Sequence, residues 1–67
     1  MSSRDILRRE IVAIYDKWCR KKVITFSDKE LVDYLYRDYK LENGNSFIDG
    51  LYQNICTWEI VPNDYEI

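Results

Sequence analysis

Phe26-Ser27-Asp28-Lys29-Glu30-Leu31 is the stretch on which the reading of this chain turns. Ser27 and Glu30 stand in the Ser-x-x-Glu spacing of a capping box, in which the serine hydroxyl accepts from a backbone N–H and the glutamate reaches back to the serine's own N–H. Phe26 before the cap and Leu31 after it are placed as a hydrophobic staple. A helix is therefore expected to begin at Asp28 and run to Tyr39, with Leu31, Val32, Leu35 and Tyr39 on its inner face.

Upstream, Val23 to Phe26 is too short for a helix and rich in branched and aromatic side chains, so a brief strand is expected. Before it, Leu7, Ile11, Ile14 and Trp18 recur at helical spacing, which predicts a first helix from Ser3 to Arg20, with Ser2 or Ser3 as cap and Asp5 in the first turn. Downstream, Asn43-Gly44 tolerates a left-handed backbone and turns the chain. Asn45 or Ser46 can cap a third helix over Ser46 to Ile55, with Phe47 or Ile48, Leu51, Tyr52 and Ile55 on one face. Gly50 inside it costs about 1 kcal/mol relative to Ala and is expected to mark a close helix contact. The tail alternates from Thr57 to Val61 and turns at Pro62-Asn63-Asp64 before Tyr65-Glu66-Ile67. It reads as a hairpin, able to add the Val23 strand as a small three-stranded antiparallel sheet.

The 67 residues hold one domain, residues 1–67, of the α+β class. A hydrophobic fraction of 46%, with two Trp, six Tyr and two Phe, supplies a compact core without staples. There is no His, and Cys19 and Cys56 are isolated, so no zinc site or disulfide framework is expected and both thiols are read as buried. A cysteine nucleophile would lack its base, and no glycine-rich phosphate loop occurs. Neither an enzyme nor a cofactor or small-molecule substrate is expected. The charged first helix is neither a signal peptide nor a membrane span, which points to a cytoplasmic setting. Charge is uneven. Residues 1–40 carry ten bases against seven acids, a net of +3, and the remainder carries five acids and no base.

Helix, short strand, helix, turn, helix, hairpin is an order that resembles winged-helix (winged helix-turn-helix) domains across nearly the whole chain. Val23 to Phe26 would be the first strand, Asp28 to Tyr39 and Ser46 to Ile55 the helix-turn-helix pair, and Thr57 to Ile67 a clipped wing. A plain three-helix bundle with an irregular C-terminal tail is the alternative architecture. The resemblance implies a third helix in the DNA major groove and a wing on the phosphate backbone. Those segments carry no Lys or Arg here, whereas DNA binding depends on cations that release condensed counterions. Winged-helix domains also serve as protein-interaction modules.

Two candidate surfaces follow. Helix 2 carries Tyr34, Tyr36 and Tyr39 beside Leu31, Val32 and Leu35, more apolar and aromatic surface than one small core can absorb. With the acidic C-terminal half it suggests a regulatory or adaptor module that binds a protein through Tyr34, Tyr36, Asp49, Tyr52, Gln53 and Glu59. The alternative is a DNA-binding transcriptional regulator that uses the basic face of helix 1, Arg4, Arg8, Arg9, Lys17, Lys21 and Lys22, as a homodimer if the stripe is doubled. Its bland counterpart is a solvated face of i,i+4 pairs, Asp5 with Arg9, Asp16 with Arg20 and Asp33 with Arg37. Trp18 and Trp58 are read as core.

Overall fold

In the computed structural model, which describes residues 3–66, the elements follow as α1 (Ser3–Trp18), β1 (Val23–Thr25), α2 (Phe26–Leu41), α3 (Ser46–Ile55) and β2 (Glu59–Val61). A cap at Ser2 and a strand end at Ile67 lie outside the described residues. The helices form where the apolar spacing places them, and Ile11, Ile14, Trp18, Val32, Leu35, Tyr39, Ile48 and Ile55 meet in one core with β1, Trp58 and Val61. α1 stops at Trp18 rather than Arg20. Lys22 adopts a left-handed backbone, φ 56°, and its N–H bonds the Trp18 carbonyl at 3.0 Å, closing the last turn.

The start of α2 differs from the capping-box reading. Thr25 is the cap: its Oγ1 accepts from the Asp28 N–H at 3.3 Å, and Phe26 becomes the first helical residue, its side chain exposed. Thr25 and Asp28 share the spacing that Ser27 and Glu30 offer, and Thr25 is already held in β1, so the earlier cap prevails. The Ser27 N–H is taken instead by the Asn63 side chain at 2.8 Å, which ties the C-terminal segment to this helix end. Phe26 and Leu31 are both exposed, so the staple does not form and Leu31 leaves the predicted inner face.

The sheet is two-stranded and parallel, with Val23 opposite Glu59, Ile24 opposite Ile60 and Thr25 opposite Val61. This corrects the antiparallel hairpin and the three-stranded sheet. The chain leaves β1, passes through α2 and α3 and returns beside β1 in the same direction, the long crossover connection that a parallel pair requires. After the Pro62-to-Asp64 turn no strand returns among the described residues. Tyr65 packs its ring against Trp18 instead, with centroids 6.3 Å apart.

Between α2 and α3, Asn43 takes the left-handed conformation, φ 62°, while Gly44 serves close approach: a Cβ there would overlap the Tyr39 ring. Tyr39 is wholly buried. Its hydroxyl donates to Asn45 Oδ1 at 3.3 Å and accepts the Asn45 N–H at 3.2 Å, while the same Oδ1 caps α3 by accepting from Phe47 N–H. Gly50 marks no helix contact, since a Cβ would meet nothing within 4 Å. The thiols also depart from expectation: Cys19 is half-buried and Cys56 exposed.

Candidate functional site

Six tyrosines of similar composition divide into different tasks once the helices are placed. Side chains two apart on a helix point about 200° away from each other, so Tyr34 and Tyr36 cannot share a face. Tyr36 turns toward α3 and lies flat on Tyr52, with ring centroids 4.0 Å apart and planes 6° apart. Its hydroxyl donates to Asp49 Oδ1 at 2.6 Å, and the Tyr52 hydroxyl donates back across the helix pair to Asp33 Oδ1 at 2.6 Å. Each carboxylate also holds a lysine, Lys29 on Asp33 at 2.7 Å and Lys40 on Asp49 at 3.1 Å.

The clip is reciprocal because α2 and α3 carry the same spacing. Asp33 and Tyr36 in α2, and Asp49 and Tyr52 in α3, both read Asp-x-x-Tyr, which puts carboxylate and ring on one helix face one turn apart. Asp33 is thereby committed to Lys29 and Tyr52, and the predicted pair with Arg37 is not made; nor is Asp16 paired with Arg20. The hydrogen bond to Asp49, then burial, pushes the Tyr36 hydroxyl up to about 12. The bond to Asp33 and burial raise Tyr52 as well. The Tyr36 hydrogen bond, joined by Lys40, lowers Asp49 below the ordinary carboxylate range. The raised tyrosine hydroxyls keep their protons near neutral pH and continue to donate to the two carboxylates, so the group fastens α2 to α3.

Tyr36, Asp49 and Tyr52 were expected to face a partner, and the fold uses them internally. Gln53 and Glu59 are exposed, on α3 and β2, whereas Tyr34 is on α2. Tyr34 is 58% exposed and stands on the far side of α2 with Leu31 at 47% and Leu41 at 77%. Ile6 of α1, also exposed, borders Leu41 across an open groove of about 400 Å³ that Leu7, Asp38, Ser3 and Glu42 complete. On the other flank, Glu30, Asp33 and Arg37 surround Tyr34, with the Arg37 guanidinium 4.6 Å above its ring. Leu31, Tyr34, Asp38 and Leu41 repeat at spacings of three, four and three residues, a second stripe beside the buried Val32, Leu35 and Tyr39. Leu31 thus faces outward rather than into the core, and Asp38 and Leu41 join it at positions that the heptad spacing marks, while Ile6, Glu30 and Arg37 come to this face only through the fold.

The basic residues of α1 do not form an uninterrupted stripe. Arg4, Arg8, Arg9 and Lys17 on α1, and Lys21 and Lys22 in the turn beyond its end, are all exposed. Arg8 lies 5.4 Å from the Phe47 ring centroid, and Lys17 sits over Trp18 and 3.7 Å from Asp28. Glu10 and Asp16, both exposed, interrupt the cations along the helix. Among the described residues no group of three or more His, Cys, Asp or Glu side chains is placed to hold a metal ion, and no helix is long and apolar enough to cross a membrane. Compared with known protein families, curated protein sequences and solved structures, the chain matches none.

Proposed function

We propose that the chain is a non-catalytic adaptor or regulatory module that binds a protein through the outer face of α2. One observation carries this reading: Leu31, Tyr34 and Leu41 stay exposed along one face of α2, with Ile6 of α1 beside Leu41, on a domain whose buried core forms without them. An exposed stripe of this kind, rimmed by charges such as Glu30, Arg37 and Asp38, has the composition of an interface: aromatic and aliphatic centre, polar edge. The order α1, β1, α2, α3, β2 supports a winged-helix-like arrangement with α2 and α3 as the helix-turn-helix pair and the parallel β1–β2 pair in place of the hairpin. The acidic half contributes less than its composition suggests, since Asp49 is engaged by Tyr36 and Lys40.

Duplex DNA binding by α1 has weaker support. Its cations are interleaved with acids, and α3 presents Asp49 but no base. Phosphate contacts need a surface that releases counterions together. The deciding experiment places a photo-crosslinking amino acid at Tyr34 or, as control, at Gln53 in producing cells. Protein adducts from position 34 well above those from position 53 are expected; equal yields, or adducts from 53 alone, would remove this face from consideration.

A further inference from the structure

Val61 is the last residue of β2 to pair with β1, opposite Thr25, and Pro62 follows with no N–H to extend the ladder. From there residues 62–66 leave the sheet and cross to the junction of α1 and α2, where two contacts hold them. Asn63 Oδ1 accepts the Ser27 N–H at 2.8 Å, and the Tyr65 ring meets that of Trp18 with planes tilted by 51°. A turn from the Tyr65 N–H to the Pro62 carbonyl, 3.0 Å, sets the spacing between these two anchors. Pro62, Asn63, Asp64 and Glu66 are exposed and Tyr65 is half-buried. Among the described residues neither Asp64 nor Glu66 makes an ion pair. Rather than packing flush, Asn63, Tyr65 and Glu66 share with Lys17, Trp18 and Asp28 an open cleft of about 340 Å³.

We infer that residues 62–66 are a strap that opens and closes as one unit, hinged beside Val61, while the rest of the fold stays intact. Ordering this segment costs conformational entropy that one exposed hydrogen bond and one ring contact offset only narrowly. What the strap covers does not depend on it. Thr25 caps α2 by accepting the Asp28 N–H, and the Trp18 indole N–H is held by Asp28. Val61 is buried and in register with Thr25, so the sheet ends where the strap begins. The Ser27 N–H belongs to the first turn of α2, where no carbonyl of the same helix reaches it, and at this exposed position water replaces Asn63 at little cost. Opening uncovers one face of the Trp18 ring and turns the cleft into a surface that presents Lys17, Asp28 and the freed Ser27 N–H together. The strap thereby controls access to the junction of α1 and α2, independently of what docks on the outer face of α2.

Amide hydrogen exchange of the whole chain, followed residue by residue by NMR, tests this. Asn63 is the acceptor that protects the Ser27 amide, so that amide reports closure directly. Protection of about 10- to 100-fold is expected at Ser27, set by local opening and unchanged by sub-denaturing urea. The amides of Val32 and Leu35, inside α2, should exchange only with global unfolding and quicken as urea rises. Tyr65→Ala removes the other anchor and should speed exchange at Ser27 roughly tenfold, well beyond any change at Val32. A Ser27 amide without protection, or one whose exchange follows urea in parallel with Val32, overturns the strap. Unchanged Ser27 exchange in a folded Tyr65→Ala chain also overturns it, since the two anchors would then not move together. Where Tyr65→Ala fails to fold, the urea series on the parent chain decides.

Discussion

Trp18 at the end of α1 donates its indole N–H to Asp28 Oδ2 in the first turn of α2, across 2.7 Å. The carboxylate that a capping reading would spend on its own helix is used instead to satisfy a buried tryptophan ten residues earlier. Both groups gain: the indole donor would otherwise be buried without a partner, and the anion sits at the positive end of the α2 dipole.

Asp28→Ala should therefore cost about 1–2 kcal/mol of stability, more than a surface acid, because it strands the Trp18 donor as well as removing a favourable dipole interaction. Asp28→Asn keeps an acceptor and should lose less. Urea unfolding followed by tryptophan fluorescence checks the order parent, Asn, Ala.

The Tyr36 and Tyr52 clip makes the chain sensitive to alkali. A hydroxyl whose pKa is raised on folding adds stability that is whole below the unfolded value of about 10 and is lost as pH climbs through the folded value, about 12 for Tyr36. Stability should fall between these limits, and Tyr36→Phe should flatten the fall; the pH dependence of the unfolding midpoint shows it. Asp49 works in the opposite direction, its contribution present above the ordinary carboxylate range and lost as pH falls.

The two glycines should respond with opposite signs. Gly50 is exposed in the middle of α3, has open space at its Cβ position and no positive φ, so Gly50→Ala should stabilise by roughly 0.5–1 kcal/mol. Gly44→Ala drives a methyl group into the buried Tyr39 ring and should destabilise. Thermal unfolding of both variants separates them.

Three helices were legible because their apolar residues recur with helical period, and the inner positions of α1 and α3 follow from that period alone. α2 was harder. Its apolar and aromatic residues cover three faces, Val32, Leu35 and Tyr39 toward the core, Tyr36 toward α3, and Leu31, Tyr34 and Leu41 outward, and periodicity cannot rank stripes that are all apolar. The tail segment as the partner of β1 was legible, but its direction and register were not, since three-residue strands carry no register information and their pairing depends on where α2 and α3 deliver the chain. The Asp-x-x-Tyr repeat stood in the sequence, but its meaning needs the two helices face to face.

Tyr34 and Tyr36, two positions apart on α2, are assigned opposite tasks, and alanine at each tests that division most directly. Urea unfolding and crosslinking yield from position 31 would be measured on both variants. We expect Tyr34→Ala to shift stability by no more than about 0.5 kcal/mol and to abolish crosslinking, whereas Tyr36→Ala should lose roughly 2 kcal/mol with the stacked ring. A Tyr34→Ala chain that still crosslinks in full, or a Tyr36→Ala chain that loses crosslinking with its stability intact, would contradict the outer face of α2 as the docking surface.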